Sequence, residues 1–266
     1  MNRILKWTFA LPLAYITYLV LAMLVPSGTS ETGIMLRNTV LHIILSACVL
    51  LYVKYMLNFN IRHFLNRNCT FSIRRMFTGL TVMFLTGCLT TLIWKVVQPD
   101  FFTVTFNKAK FITDWTVSAL LIICAAFSEE LIFRCYIAYF LKNEPENNPR
   151  RMWRYCTVSA ILFTIAHFEN PEVNGKSALY SMTFYFIMGF TLMLFMLQTG
   201  GCEFSLGVHI GNNLVSAWLC TYNNTVIHTN AIFTQHNTFG PFMLIQTALC
   251  LLVCSLVLNK AIERRL

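Results

Sequence analysis

The stretch from residue 114 to residue 141, DWTVSALLIICAAFSEELIFRCYIAYFL, decides the fold class of this chain. It is mostly apolar over more than the roughly 20 residues that an α-helix needs to cross a bilayer. Near its middle lie Glu129, Glu130 and Arg134, and exposing these groups to lipid would cost several kcal/mol. The stretch therefore predicts a membrane-spanning helix whose charged side chains face one another or an internal cavity.

The same apolar character extends along the whole chain of 266 residues. Apolar and aromatic residues make up 56% of the sequence and charged residues only 12%, against about 25% charged residues in a soluble domain. The eight predicted spans are Trp7–Val25, Leu36–Leu57, Met76–Val97, Asp114–Leu141, Met152–Phe168, Ser177–Gln198, Phe204–Tyr222 and Gly240–Leu258. The sequence thus predicts an all-α, polytopic membrane helical bundle, with residues 1–266 forming a single membrane domain in a lipid bilayer.

The basic residues predict how this bundle is oriented. If the N-terminus is cytoplasmic, the 20 Lys and Arg residues divide into 14 in cytoplasmic segments, 5 in external segments and Arg134 within a span. The positive-inside rule favours this orientation, and an even number of spans then makes the C-terminus cytoplasmic too. The net charge of +9 comes from basic residues that lie mostly between the apolar spans, where they are topology signals and attract anionic lipid. No basic–aromatic segment indicates nucleic-acid binding.

The two carboxylates of the fourth span differ in their surroundings. Glu130 and Arg134 are four residues apart, so they share a helical face and can form an ion pair. Glu129 is rotated by about 100° from Glu130 and can face elsewhere. We interpret Glu130–Arg134 as a structural ion pair and Glu129 as the reactive carboxylate, with the alternative that all three groups only cross-link helices.

Two further motifs carry polar groups on one helical face. Phe163 and His167 are four residues apart at the end of the fifth span, and His209 and Asn213 have the same spacing in the seventh. Gly211 would allow a neighbouring helix to approach closely. Taken singly, His167 could be an interface residue, and His209 and Asn213 could form interhelical hydrogen bonds.

The ordered set E-E-x-x-x-R, F-x-x-x-H and H-x-x-x-N on successive spans resembles the CPBP family of intramembrane proteases, also called the Abi or CAAX-protease family. The resemblance covers residues 114–222, which it identifies as the catalytic core. It implies that Glu129 and His167 activate a water molecule and that His209 and Asn213 stabilise the oxyanion. It also implies a membrane-associated substrate, such as a prenylated C-terminal tail, a peptide precursor or a bacteriocin-type peptide.

The residue chemistry agrees with peptide hydrolysis. A desolvated carboxylate is a better base near neutral pH, and a tetrahedral oxyanion needs hydrogen-bond donors. The three groups Glu129, His167 and His209 would also make a zinc-binding set. Because no H-E-x-x-H or other close ligand spacing is present, we favour catalysis without a metal cofactor, with zinc as the alternative.

Two non-enzymatic functions would use the same residues. The chain could be an immunity or scaffold protein that binds a peptide toxin, and only substrate turnover separates this from a protease. It could also be a transporter with Glu129 as a proton relay. A transporter would be favoured by Gly- or Pro-broken helices at matching positions in two halves, and the sequence shows none.

Straight-helix geometry raises one difficulty for this site. It places His167 near the outer end of the fifth span and His209 near the inner end of the seventh, which differ in depth by more than about 10 Å. Either the helices are tilted and unequal, or the segment 199–202 enters the protein and lowers His209. Backbone of this kind is tolerated in a membrane protein where it lines a cavity.

The orientation can be tested by labelling. We expect segments 58–75 and 142–151 to be cytoplasmic, because the basic residues concentrate there. In a variant without native cysteines, Asn147→Cys should react with an impermeant thiol reagent only from the cytoplasmic side. Labelling of Asn147→Cys only from outside would reverse the orientation.

Overall fold

The computed structural model describes residues 3–141, 149–236 and 240–263, which are almost entirely helical. The α-helices are α1 Arg3–Ala22, α2 Glu31–Tyr55, α3 Ile61–Leu65, α4 Ile73–Val97, α5 Phe111–Glu130, α6 Ile137–Phe140, α7 Pro149–Ala166, α8 Ala178–Thr199, α9 Glu203–Leu214 and α10 Pro241–Glu263. Short strands β1 Phe102–Val104, β2 Cys220–Tyr222 and β3 Phe233–Gln235 form a sheet in which β3 is antiparallel to β1 and parallel to β2. The predicted all-α membrane bundle is confirmed.

Six helical segments are long and apolar enough to cross a membrane, within the described residues: 5–22, 31–55, 73–97, 111–140, 178–199 and 241–263. The fifth and seventh predicted spans form α7 and α9 but do not meet this criterion. Helix α7 carries three arginines near its start, and α9 has only 12 residues. The number of eight spans therefore stays a prediction. Residues 142–148, including Asn147, lie outside the described part of the chain.

The outer helices present apolar side chains to their surroundings. Helices α1, α4 and α10 each expose large apolar residues on the face turned away from the core, among them Ile16, Val20, Leu85, Leu89, Leu252 and Leu256. A surface of this kind is stable in hydrocarbon and unfavourable in water. The exposed face of the bundle therefore fits a lipid environment.

Helix α9 lies at the centre of the bundle and packs against α4, α5 and α8. All residues from 201 to 211 are buried. A methyl group on Gly207 would come within 1.9 Å of the Met76 carbonyl oxygen, and one on Gly211 within 2.7 Å of the Leu80 carbonyl oxygen. Glycines at these positions therefore let the backbones of α4 and α9 touch, as predicted for Gly211.

The segment 199–202 leads into α9 from inside the protein. Helix α8 ends at Gly200, whose φ of 71° is the left-handed conformation common at helix ends. The Gly200 carbonyl accepts a hydrogen bond from the Arg67 backbone N–H (2.8 Å). Buried Glu203 then accepts one from the Asn66 amide (2.6 Å). The depth of His209 in the membrane stays a prediction.

Two π-helical segments interrupt the α-helices beside the polar motifs. One, Leu131–Tyr136, joins α5 to α6 and begins directly after Glu130. The other, Val215–Leu219, continues α9 two residues after Asn213. Because π turns are uncommon and often occur at functional sites, these segments point to the region between α5 and α9.

Candidate active site

The carboxylate of Glu130 has three polar partners, one following it in its own helical segment and two on α9. It is fully buried, and its Oε1 lies 3.3 Å from Arg134 Nε and 3.0 Å from His209 Nδ1. Its Oε2 accepts a hydrogen bond from the Ser205 hydroxyl (2.7 Å). Ser205 and His209 are four residues apart and share one face of α9. Glu130 therefore links α5 to α9 as well as pairing with Arg134.

The Arg134 guanidinium is fully buried beside this carboxylate. It stands over the ring of Phe163, with 4.4 Å from its central carbon to the ring centroid. Its contact with Glu130 is an ion pair without hydrogen-bond alignment, and its nitrogens have no hydrogen-bond acceptor in the described residues. The charge is thus balanced by Glu130 and by the aromatic face of Phe163.

Glu129 turns away from this pair and faces two imidazoles. Its Oε2 lies 3.5 Å from His209 Nε2 and 3.8 Å from His167 Nε2. The carboxylate retains 22% exposure, yet Oε2 is buried and has no hydrogen-bond partner in the described part of the chain. The structure therefore brings Glu129, His167 and His209 together around an oxygen that is available to bind a water molecule.

Hydrogen bonds on the far side of each ring fix how the two imidazoles are presented. His167 Nδ1 lies 2.7 Å from the carbonyl oxygen of Phe163, and His209 Nδ1 contacts the Glu130 carboxylate. Since both partners can only accept, each Nδ1 carries a proton and donates it. Each ring therefore directs Nε2 toward Glu129.

Asn213 lies one turn beyond His209 on the same face of α9. Its side-chain oxygen accepts a hydrogen bond from the Asn212 amide (3.0 Å). Asn213 lines the same cavity as Glu129. Because its oxygen accepts from Asn212, the NH₂ group of Asn213 is the part of the amide left to act as a neutral donor.

The groups described above open onto a cavity of about 480 Å³. Its walls come from α1, α2, α5, α7, α8 and α9 and from the segment 225–227, so they include helices outside the motif-bearing region. His42 on α2 contacts Ser128 (2.8 Å) and also lines this cavity. The cavity is therefore large enough to admit a small ligand or part of a peptide beside Glu129.

A second carboxylate belongs to the same wall and was not predicted from sequence. Tyr185 stacks on the His167 ring with 4.3 Å between centroids, and its hydroxyl donates to Glu172. No spacing rule connects Glu172 to the three motifs, because it lies in a loop between two spans. Ser205 could have been found, since it is one helical turn before His209.

The donor set was also considered as a metal site. Glu129, His167 and His209 approach one another in pairs. Within the described residues, however, no group of three His, Cys, Asp or Glu side chains is arranged so that it could hold a metal ion. We therefore derive no catalytic step through zinc from this geometry.

The two carboxylates should differ in their effect on stability. Glu130→Gln leaves Arg134 without a counter-charge in a dry site, and breaking such a pair costs about 3–5 kcal/mol. We expect a lower melting temperature and lower yield of folded protein in detergent. Glu129→Gln, the matched control, should change both much less because Glu129 is partly exposed and lacks that partner. The opposite order would reverse the assigned roles.

Comparison with known proteins gives a family to which the motif-bearing segment is similar. Residues 111–215 match the Rce1-like family model, described as type II CAAX prenyl endopeptidase Rce1-like. YyaK, an uncharacterized protein of Bacillus subtilis strain 168, is 30% identical over 181 residues. The alignment covers 67% of this chain and 58% of the Bacillus protein, so the chain spans less than two thirds of that relative. No solved structure matches the chain.

The matched segment includes all three motifs, from Glu129 to Asn213. Residues 111–215 are therefore similar to the Rce1-like family, which confirms the resemblance predicted from the motifs.

Proposed function

We propose that this protein is an intramembrane endopeptidase that hydrolyses a peptide bond in a membrane-associated peptide or protein. One observation carries the proposal: a buried, unpartnered carboxylate oxygen of Glu129 lies 3.5 Å and 3.8 Å from two imidazole nitrogens at a cavity of about 480 Å³. The match of residues 111–215 to the Rce1-like family supports a CAAX-type substrate or a peptide precursor.

Water activation begins at Glu129 and His167. A water molecule between Glu129 Oε2 and His167 Nε2 can donate one hydrogen bond to each, because both atoms are acceptors in the arrangement described above. Glu129 takes one proton as the water oxygen attacks the carbonyl carbon of the substrate. When the tetrahedral intermediate collapses, a proton passes through His167 to the leaving nitrogen and the C–N bond breaks.

The oxyanion is stabilised from α9. The Asn213 amide supplies a neutral donor, and His209 Nε2 supplies a second. Since Nδ1 of His209 already donates to Glu130, His209 donates through Nε2 only as an imidazolium. Its charge is balanced by the Glu129 carboxylate before the water attacks and by the oxyanion afterwards. Donors fixed in this way are worth most in a site that excludes water.

Removing the base, Glu129, and removing an oxyanion donor, His209, should both lower kcat/KM, by different factors. Glu129→Gln keeps the shape of the side chain but removes the base, so kcat/KM for a membrane-anchored peptide should fall by about 10²–10⁴-fold. His209→Ala removes one oxyanion donor and should cost roughly 10²–10³-fold. Cleavage is measured by mass spectrometry with purified protein in detergent. Binding of the peptide without any turnover by the wild type would favour an immunity or scaffold protein.

Hydrolysis should also be independent of metal. Purified wild-type protein should contain well below one zinc per chain by elemental analysis, and its activity should survive prolonged treatment with EDTA or phenanthroline. The reason is that Glu129 and His167 together already supply an acceptor for each proton of the water. Stoichiometric zinc, with loss of activity on chelation and recovery on adding zinc back, would instead place Glu129, His167 and His209 in a metal site.

A further inference from the structure

Glu172 is a second carboxylate in the wall of the cavity that contains Glu129, and unlike Glu129 it is buried. It lies in the short 3₁₀ turn Pro171–Val173 that follows α7, and it is 7% exposed. It lines the same cavity as Glu129. The mechanism described above does not use it.

Surrounding hydrogen bonds hold this carboxylate in place. The Tyr185 hydroxyl donates to Oε1, and the Asn170 amide lies 3.3 Å from Oε1 and 2.9 Å from the Tyr185 oxygen. The backbone carbonyl of Glu172 also accepts from the hydroxyls of Ser177 (3.2 Å) and Ser181 (2.7 Å). The turn is thus fixed to α8, and one carboxylate oxygen is fully engaged.

The other oxygen, Oε2, is buried and has no hydrogen-bond partner in the described residues. Leaving a buried carboxylate oxygen without a donor is costly, and a bound ligand that brings an N–H group would remove this cost. In Glu172, the hydrogen bonds to Oε1 hold the carboxylate in place, and Oε2 can accept a hydrogen bond from such a ligand. A purely structural carboxylate would have both oxygens hydrogen-bonded, whereas Glu172 keeps one oxygen for a bound group.

The charge and shape of the cavity indicate what kind of ligand this is. Among the residues whose side chains the structure describes, no Lys or Arg lines the cavity, whereas Glu129 and Glu172 both do. Aromatic rings form much of the wall near Glu172, including those of Phe184, Tyr185 and Tyr222. Aromatic faces and unpaired carboxylates both attract cations.

We propose that Glu172 forms a subsite for a cationic group of the substrate, either a Lys or Arg side chain or a free amino terminus. The proposal rests on the proposed endopeptidase function. Tyr185 links the two sites, because its hydroxyl binds Glu172 and its ring stacks on His167. The cationic group therefore lies within a few residues of the scissile bond.

The first test uses the wild-type protein and a series of membrane-anchored peptides. Lys is placed at each position flanking the cleaved bond and compared with norleucine, which has a similar length and no charge. One position should show a kcat/KM about 10- to 100-fold higher for Lys, the value of one charge-assisted hydrogen bond. A second arm compares free and acetylated amino termini, and a preference for the free amine identifies that source. Equal kcat/KM values in both arms would overturn the proposal.

The second test uses Glu172→Gln and Glu172→Lys on the same peptides. The Lys-to-norleucine ratio of kcat/KM should fall to about one in Glu172→Gln, and Glu172→Lys should prefer Glu at that position. If Glu172 only supports Tyr185, both peptides should lose activity together and the ratio should persist, which would contradict the subsite. Failure of the proposed function itself would appear separately, as no cleavage of any of these peptides by the wild-type protein.

Discussion

The buried contact between Glu130 and α9 is the interaction on which the site depends. Burying a carboxylate in the interior of a membrane bundle is costly, and partners for both oxygens of Glu130 reduce this cost: Arg134, Ser205 and His209. These contacts fix the position of α5 against α9. Because Glu129 is the neighbouring residue, the same contact directs its carboxylate into the cavity and toward His209 Nε2.

The rest of the architecture holds α9 in the centre of the bundle. Residues 201–211 are buried, and Gly207 and Gly211 allow contact between the backbones of α4 and α9. The ring of Phe163 packs between Arg134 and the His167 imidazole, which directly follows α7. Gly207, Gly211 and Phe163 therefore contribute both to helix packing and to the geometry of the site.

Local sequence rules predicted much of this site. Four-residue spacings identified the Glu130–Arg134 pair and the faces that carry His167 and His209, and the order of the motifs identified the family. The bond between His209 and Glu130 was not predicted, because it joins helices 79 residues apart in the sequence and depends on how they pack. The π segments after Glu130 and Asn213 also leave no recognisable pattern in the sequence.

The predicted seventh span shows a different limit of sequence reasoning. Its apolar residues predict a membrane-spanning helix, and in the structure residues 203–211 are buried among other helices. Hydropathy cannot separate these cases, since lipid and a protein core favour the same side chains. Glu172 was missed for a related reason: its importance comes from Tyr185 and from the cavity, which only the folded chain brings together.

The central claim is that the Glu129 carboxylate is the base that activates water, and chemical rescue tests it most directly. Glu129→Ala leaves space in the cavity for a small carboxylate such as formate. The account predicts that Glu129→Ala is inactive and that added formate restores hydrolysis in proportion to its concentration, with no such effect in Glu130→Ala. Hydrolysis by Glu129→Ala at the wild-type rate without formate, or rescue of Glu130→Ala instead, would contradict it.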